Sequence, residues 1–232
     1  MTNGKISGTT ETLTSVGTLT AVAVVHKVVP KFWEEPLSTA IDKRPVEGRV
    51  QLQSLGLAGD VQCDRANHGG VYAAVYAYAD EDAAWWAREL DREITPGLFG
   101  ENLRTSNVDV TGAEIGEQWQ VGAPDEGVLL EVTAPRAPCR TFQERMAEPH
   151  WVKRFAERNA PGAYLRVLTA GSVAAGDDVR VVLRPGHGVT LGHVANRPEA
   201  STMNRLLDAA ERLGLDLEPG LRHAAVKISQ RG

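Results

Sequence analysis

From residue 18 to residue 29 apolar side chains alternate with polar or small ones, a spacing that predicts a first β-strand. Before it, residues 1–17 are rich in Gly, Thr and Ser and have little to bury, which predicts a flexible leader. After it, Pro30 and Pro36 predict a loop over residues 30–40, and the stretch from Lys43 leads into a short strand at Gln51, Leu52 and Gln53. The apolar run over residues 71–78 predicts another strand. At Asp80, Glu81 and Asp82 the period becomes helical: the acids cap the first turn, where the macrodipole favours them, and Trp85, Trp86 and Leu90 follow as apolar anchors toward Asp91. Both tryptophans read as core. A second helix is predicted over residues 148–159 from Trp151, Val152 and Phe155.

Residues 110–122 and 168–181 share a pattern of glycine, apolar residue, glycine plus acid (Gly116-Glu117, Gly176-Asp177) and then an alternating strand, as at the corners of a curved sheet. Many short strands with few helices predict a mainly β fold with added helices, an α+β chain built on a β-barrel. From Thr190 the period is helical again: Met203, Leu206, Leu207 and Ala210 share one face before Gly214, and a further short helix is predicted over residues 219–228. The expected organisation is therefore a leader over 1–17, a barrel domain over 18–185 and a helical appendage over 186–232.

Composition narrows the function classes. A charge of −5, with 42% hydrophobic and 24% charged residues, is that of a soluble globular chain and argues against nucleic acid or an anionic membrane as partner. No signal-like segment or membrane-length apolar run is present, and two cysteines, Cys63 and Cys139, are too few for a disulfide framework, so a reducing, cytoplasmic setting is expected. The glycines at 186, 188 and 192 miss the dinucleotide-binding spacing by one residue, and the chain has no P-loop, no Cys-x-x-Cys and no Gly-x-Ser-x-Gly. A self-contained NAD- or ATP-dependent enzyme is not expected.

Two segments carry chemistry. In Ala134-Pro135-Arg136-Ala137-Pro138-Cys139 two prolines end a strand-like run and place a thiol in a rigid loop, with Arg136 favouring the thiolate. The competing reading of Cys139 is a small apolar core residue. Upstream, residues 56–70 gather Asp60, Gln62, Asp64, Arg65, Asn67 and His68 between glycines, and backbone N–H groups near Gly69 and Gly70 can face an anion. The competing reading there is a polar surface turn.

With Lys43-Arg44-Pro45-Val46-Glu47-Gly48-Arg49-Val50 and Phe99-Gly100-Glu101-Asn102-Leu103, these segments follow the order and spacing of one family. The chain resembles MOSC-domain proteins, named for the carboxy-terminal domain of molybdenum cofactor sulfurase, and is most similar to their bacterial YiiM-like branch. The resemblance spans roughly residues 18–185. It implies a MOSC-type β-barrel and a molybdenum cofactor (molybdenum-molybdopterin), with Cys139, the residue matching the family's cysteine, as metal ligand and catalytic residue. Lys43, Arg49, Arg136 and the backbone at Gly69 and Gly70 are then candidates for the cofactor's phosphate, and His68, Asn102 and Asp64 for further cofactor contacts; for each basic residue a solvated surface charge is the competing reading. Cys63 departs from the pattern and is expected to be a small buried side chain. Two activities follow. One is reduction of N-hydroxylated bases, amidoximes or hydroxylamines with electrons from a partner reductase. The other is delivery of sulfur or cofactor through a persulfide on Cys139. A homodimer is left open.

Overall fold

The computed structural model describes residues 16–31, 37–63 and 69–230. Asp64 and His68, and residues 1–15 of the expected leader, lie outside the described residues. The strands are β1 (Val16–Pro30), β2 (Ser38–Pro45), β3 (Val50–Gln53), β4 (Gly56–Leu57), β5 (Val75–Ala79), β6 (Leu103–Ser106), β7 (Gln118–Val121), β8 (Val128–Pro135), β9 (Ala163–Thr169), β10 (Gly171–Val173) and β11 (Asp178–Leu183). The helices are α1 (Asp80–Leu90), α2 (Arg140–Met146), α3 (Trp151–Arg158), α4 (Leu191–Ala195), α5 (Ala200–Leu213) and α6 (Pro219–Ser229).

Seven strands close a barrel in the order β11-β7-β8-β9-β5-β6-β1, and β1 completes the ring on β11 through Val16 opposite Arg180 and Thr18 opposite Asp178. Closure leaves no open edge around the ring. β1 is long enough to serve two partnerships: its first half pairs with β6 and β11, and register shifts near Lys27 carry its second half outward, where it pairs with β2. The β1–β2 ribbon thus rises beside the barrel. A small sheet, β10-β3-β4, lies against it.

β5 is buried along its whole length because its two faces serve two cores. Val75, Ala77 and Ala79 point into the barrel with Leu19, Leu103, Trp119 and Leu165. Tyr76 and Tyr78 point outward into an aromatic cluster with Trp86, Phe99, Phe142, Trp151 and Phe155, which packs α1, α2 and α3 against the barrel wall. Trp86 and Trp151 stand 4.4 Å apart between ring centroids, within the range in which aromatic pairs add to simple burial. A strand buried on both faces cannot alternate apolar with polar, which is why residues 75–79 read as an unbroken apolar run. The barrel core also extends into the C-terminal helices through Leu191, Met203, Leu206, Leu217 and Leu221, so those helices share the barrel's hydrophobic core.

Several local expectations need correction. Val16 and Gly17 belong to β1, paired with Arg180 and Val179, and Ser38, Thr39 and Ala40 belong to β2, so the leader and the first loop are shorter than their composition suggests. Lys43 is on a strand. Val71–Ala73 forms a 3-10 turn and the strand begins only at Val75. Asp80, Glu81 and Asp82 occupy the first turn of α1 but none caps it, and the helix expected over residues 148–159 begins only at Trp151 as α3, after His150 takes a left-handed φ of 55°. α2 and α4 are additional. Each is so short that its apolar repeat consists of one pair, Phe142 with Met146 and Leu191 with Val194.

Candidate functional site

Where the β1–β2 ribbon leaves the barrel, a cavity of about 720 Å³, including the solvent in its mouth, opens between β2, residues 60–63, the start of β5, the turn at residue 100 and the loop after β8. Lys31, Lys43, Asp60, Cys63, Arg136 and Cys139 supply its ionisable side chains, with Tyr76, Tyr164 and Asn102 completing the wall. Among the described residues three cations face one carboxylate, in a chain whose net charge is −5. The segregation of charge is tertiary: the three cations come from positions 31, 43 and 136.

Asp60 organises one side. Its carboxylate accepts from Val25 N at 2.9 Å, from Asn102 Nδ2 at 2.8 Å and from the Lys43 ammonium. Burial pushes the Lys43 pKa below the ordinary lysine range, against the opposing pull of Asp60. Asn102 is fully engaged: Nδ2 also donates to Ala23 O at 3.2 Å, and Oδ1 accepts from Tyr76 N at 3.2 Å. Its role is to join β1, β5 and Asp60, and it has no donor left for a ligand.

Each residue of Phe99-Gly100-Glu101-Asn102-Leu103 has a structural task. Phe99 enters the aromatic cluster and Leu103 the barrel core. Gly100, with φ +79°, lies so close to β2 that a Cβ would stand 2.9 Å from Ile41 Cγ1. Glu101 is wholly buried, accepts from Gly97 N at 2.8 Å and Phe99 N at 3.0 Å, and pairs with the buried Arg104. This carboxylate folds the turn that carries Asn102 to Asp60.

The other side is built by the proline loop. Cys139 ends it in extended geometry and immediately precedes α2, whose Phe142 is wholly buried. Arg136 is buried between the rings of Tyr76 and Phe142, 5.0 and 3.7 Å from their centroids, and its Nη1 has no hydrogen-bond partner among the described residues. A guanidinium stays charged in such a setting, stacked on aromatic faces. Burial disfavours the phenolates of Tyr76 and Tyr164 and raises the pKa of both.

The cavity thus unites Lys43, Asn102, Arg136 and Cys139 from four separate stretches of sequence. It does not include Arg49, whose guanidinium is taken by Asp177 at 3.0 Å and by Ser172 on the outside of the barrel. Gly69 and Gly70 are not among its lining residues either; Gly70 N donates to Gln62 Oε1 at 2.9 Å, beside the wall. Cys63 corrects an expectation: it is exposed and lines the cavity, its thiol pKa raised by partial burial. Lys31, Tyr76 and Tyr164 were not singled out by sequence, and Asp60 was named only as one of the polar residues of the 56–70 loop. Gly59-Asp60 was the legible signal for that acid, whereas Lys31 lay in a stretch read as loop. The glycines at 186 and 188 also find their reason: the N–H groups of Gly186, His187 and Gly188 donate to the Glu114 carboxylate at 2.7, 3.1 and 3.0 Å. The anion-binding nest is filled by the chain's own acid.

Similar proteins carry the same architecture. The solved structure of YiiM from Geobacillus stearothermophilus matches with a TM-score of 0.73 at 22% identity, over 91% of this chain and 98% of that one. The uncharacterized protein YflK of Bacillus subtilis is 32% identical over 161 residues, 69% of this chain and 71% of YflK. The protein YiiM of Escherichia coli is 29% identical over 156 residues, 66% of this chain and 67% of YiiM. A protein named reductase from Gibberella moniliformis is 32% identical over 152 residues, 64% of this chain but only 26% of that longer protein. The MOSC domain matches residues 64–180, from the glycine-rich loop through the proline-cysteine segment and into β11, and this chain belongs to the MOSC-domain family, with YiiM among its relatives.

Proposed function

We propose that this chain holds the molybdenum cofactor in the cavity beside Cys139 and reduces N-hydroxylated compounds with electrons from a separate reductase. The observation that carries the reading is the union, among the described residues of one cavity, of the Cys139 thiol, with Cys63 also on its wall, and three cations, one of which has a buried nitrogen without a partner among the described residues. The donor set fits the group. A soft thiolate suits a metal that arrives already ligated by sulfur, and Arg136 and Lys31 suit a phosphate. Among the described residues no three His, Cys, Asp or Glu side chains converge into a metal site, so a metal at Cys139 has to bring most of its ligands with it. When bound, the group supplies a two-electron redox centre that takes oxygen from an N–O bond.

The chain's own residues do the rest. Cys139, at the end of a proline-stiffened loop, holds its sulfur in place. Arg136 keeps positive potential beside that sulfur, and the Asp60–Lys43 pair keeps a protonated amine on the opposite wall. The reduction consumes two electrons and two protons per N-hydroxyl group and releases water, so a cavity rich in cationic N–H groups suits the departing oxygen. The name of the Gibberella moniliformis relative supports an oxidoreductive reading.

The test is to purify the protein from cells that make the cofactor, measure molybdenum and pterin per chain, and assay reduction of an N-hydroxylated purine with an artificial electron donor. Cys139→Ser should abolish turnover. Wild-type protein that carries neither molybdenum nor pterin but accumulates a persulfide at Cys139 overturns the reading in favour of sulfur delivery.

A further inference from the structure

The turn between the C-terminal helices touches the 3-10 turn beside the cavity wall through Asp216. The turn between α5 and α6 is docked on the barrel by Leu217, which is buried in the barrel core, and by Leu215, which packs against Gly116 so closely that a Cβ there would stand 3.1 Å from the leucine methyl. Asp216 lies between these two anchors. Its carboxylate accepts from Tyr72 Oη, at 2.9 Å to each oxygen, and pairs with Arg166 of β9. Arg166 in turn stacks 5.5 Å from the Tyr72 ring and pairs with Glu131 of β8 at 2.8 Å.

Tyr72 belongs to the 3-10 turn that joins Gly70 to the cavity-lining Ala73 and Ala74. Its carbonyl accepts from the Thr133 hydroxyl at 2.5 Å. On the far side of this turn Gln62, itself a cavity residue, receives Gly70 N and donates from Nε2 toward Ala73 O at 3.3 Å. A continuous set of contacts therefore runs from Asp216 through Tyr72 and the 3-10 turn to Gln62 and the wall that bears Cys63.

We propose that Asp216 is a positioning residue through which the C-terminal helical unit sets the geometry of the cavity wall. Gly70, at φ 80° and ψ −174°, takes a conformation open to glycine and adds no stiffness of its own, so the Gln62 hydrogen bonds on one side and the Asp216 clamp on the other set how firmly the wall stands. The inference stands on these contacts and does not depend on which ligand the cavity takes.

The experiment compares the full-length protein with Asp216→Ala, Tyr72→Phe and, as a surface control on α5, Asp208→Ala. Hydrogen exchange and the rate of iodoacetamide alkylation at Cys63 are read by mass spectrometry. Amides of residues 69–75 should exchange about two- to fivefold faster in Asp216→Ala, the range expected for losing a solvent-exposed charged contact, and Cys63 should alkylate faster. Asp216→Asn, which keeps an acceptor for Tyr72, should recover part of the protection, and Asp208→Ala should match wild type. If Asp216→Ala fails to fold, Tyr72→Phe, which removes one oxygen, carries the same two readouts. Faster exchange confined to residues 214–218, with residues 69–75 and Cys63 unchanged, would show the helical unit to be a passenger and overturn the proposal.

Discussion

Replacing Asp60 by alanine removes a carboxylate shared by three donors and leaves the Lys43 ammonium buried without its counter-charge, since the two side chains are only 8% and 9% exposed. Breaking a buried pair from one side costs roughly 3–5 kcal/mol. Lys43 also faces the cavity, where water can reach its ammonium, so the lower end, about 3 kcal/mol, is expected. For a chain of this size that corresponds to a fall in Tm of roughly 6–12 °C. Thermal and urea unfolding at neutral pH, each followed by two probes, measure the loss. The reasoning makes a sharper demand on the double variant. Lys43→Met removes the stranded charge, so Asp60→Ala with Lys43→Met should be more stable than the sum of the single losses predicts, by about 2 kcal/mol. A loss below about 1 kcal/mol in Asp60→Ala, or strictly additive losses, would refute the view that this pair is buried and mutually dependent.

Other outcomes follow from the same geometry. Gly97→Ala should destabilise by about 2–4 kcal/mol, measured by urea unfolding, because a Cβ at φ +85° would stand 2.6 Å from the Lys43 carbonyl and neither backbone can yield. Pyrophosphate binding followed by calorimetry should weaken as pH rises, beginning below the ordinary lysine range, because burial lowers the Lys43 pKa; Asp60, Glu101, Cys63 and Lys31 face or border this amine, and Lys43→Met should flatten that limb. In stability the sign is opposite: between the lowered folded pKa and the ordinary lysine value the unfolded chain binds more protons, so the Lys43 contribution rises with pH across that window, which chemical denaturation at several pH values can follow. Cys63→Ser should change stability by less than about 0.5 kcal/mol, since the side chain is exposed, and should remove one of two alkylation sites seen by mass spectrometry.

Local pattern was sufficient for much of this protein. Acids followed by Trp85, Trp86 and Leu90 marked α1 to within a residue or two, Met203 and Leu206 marked α5, and the paired Gly-acid segments marked the barrel's corners, because helix periodicity and turn chemistry act within a few residues. The order of motifs was enough for the family. What stayed hidden depends on distance in sequence. The loop expected over residues 30–40 became partly strand because β1 offered a partner edge, and no local signal encodes that offer. Asn102 read as a cofactor-facing group but is consumed by Asp60, Ala23 and Tyr76, since a buried polar side chain must find its partners wherever the fold supplies them. Arg49 and Arg136 were equal candidates as basic residues beside glycine or proline; the tertiary structure gave one to Asp177 and left the other with an unmatched nitrogen in the cavity. The sequence by itself determined the longer helices, the glycine-acid corners and the family. Only barrel closure decided which charges meet, because charge separation in a folded chain is set by packing across the ring and by the ribbon that leaves it.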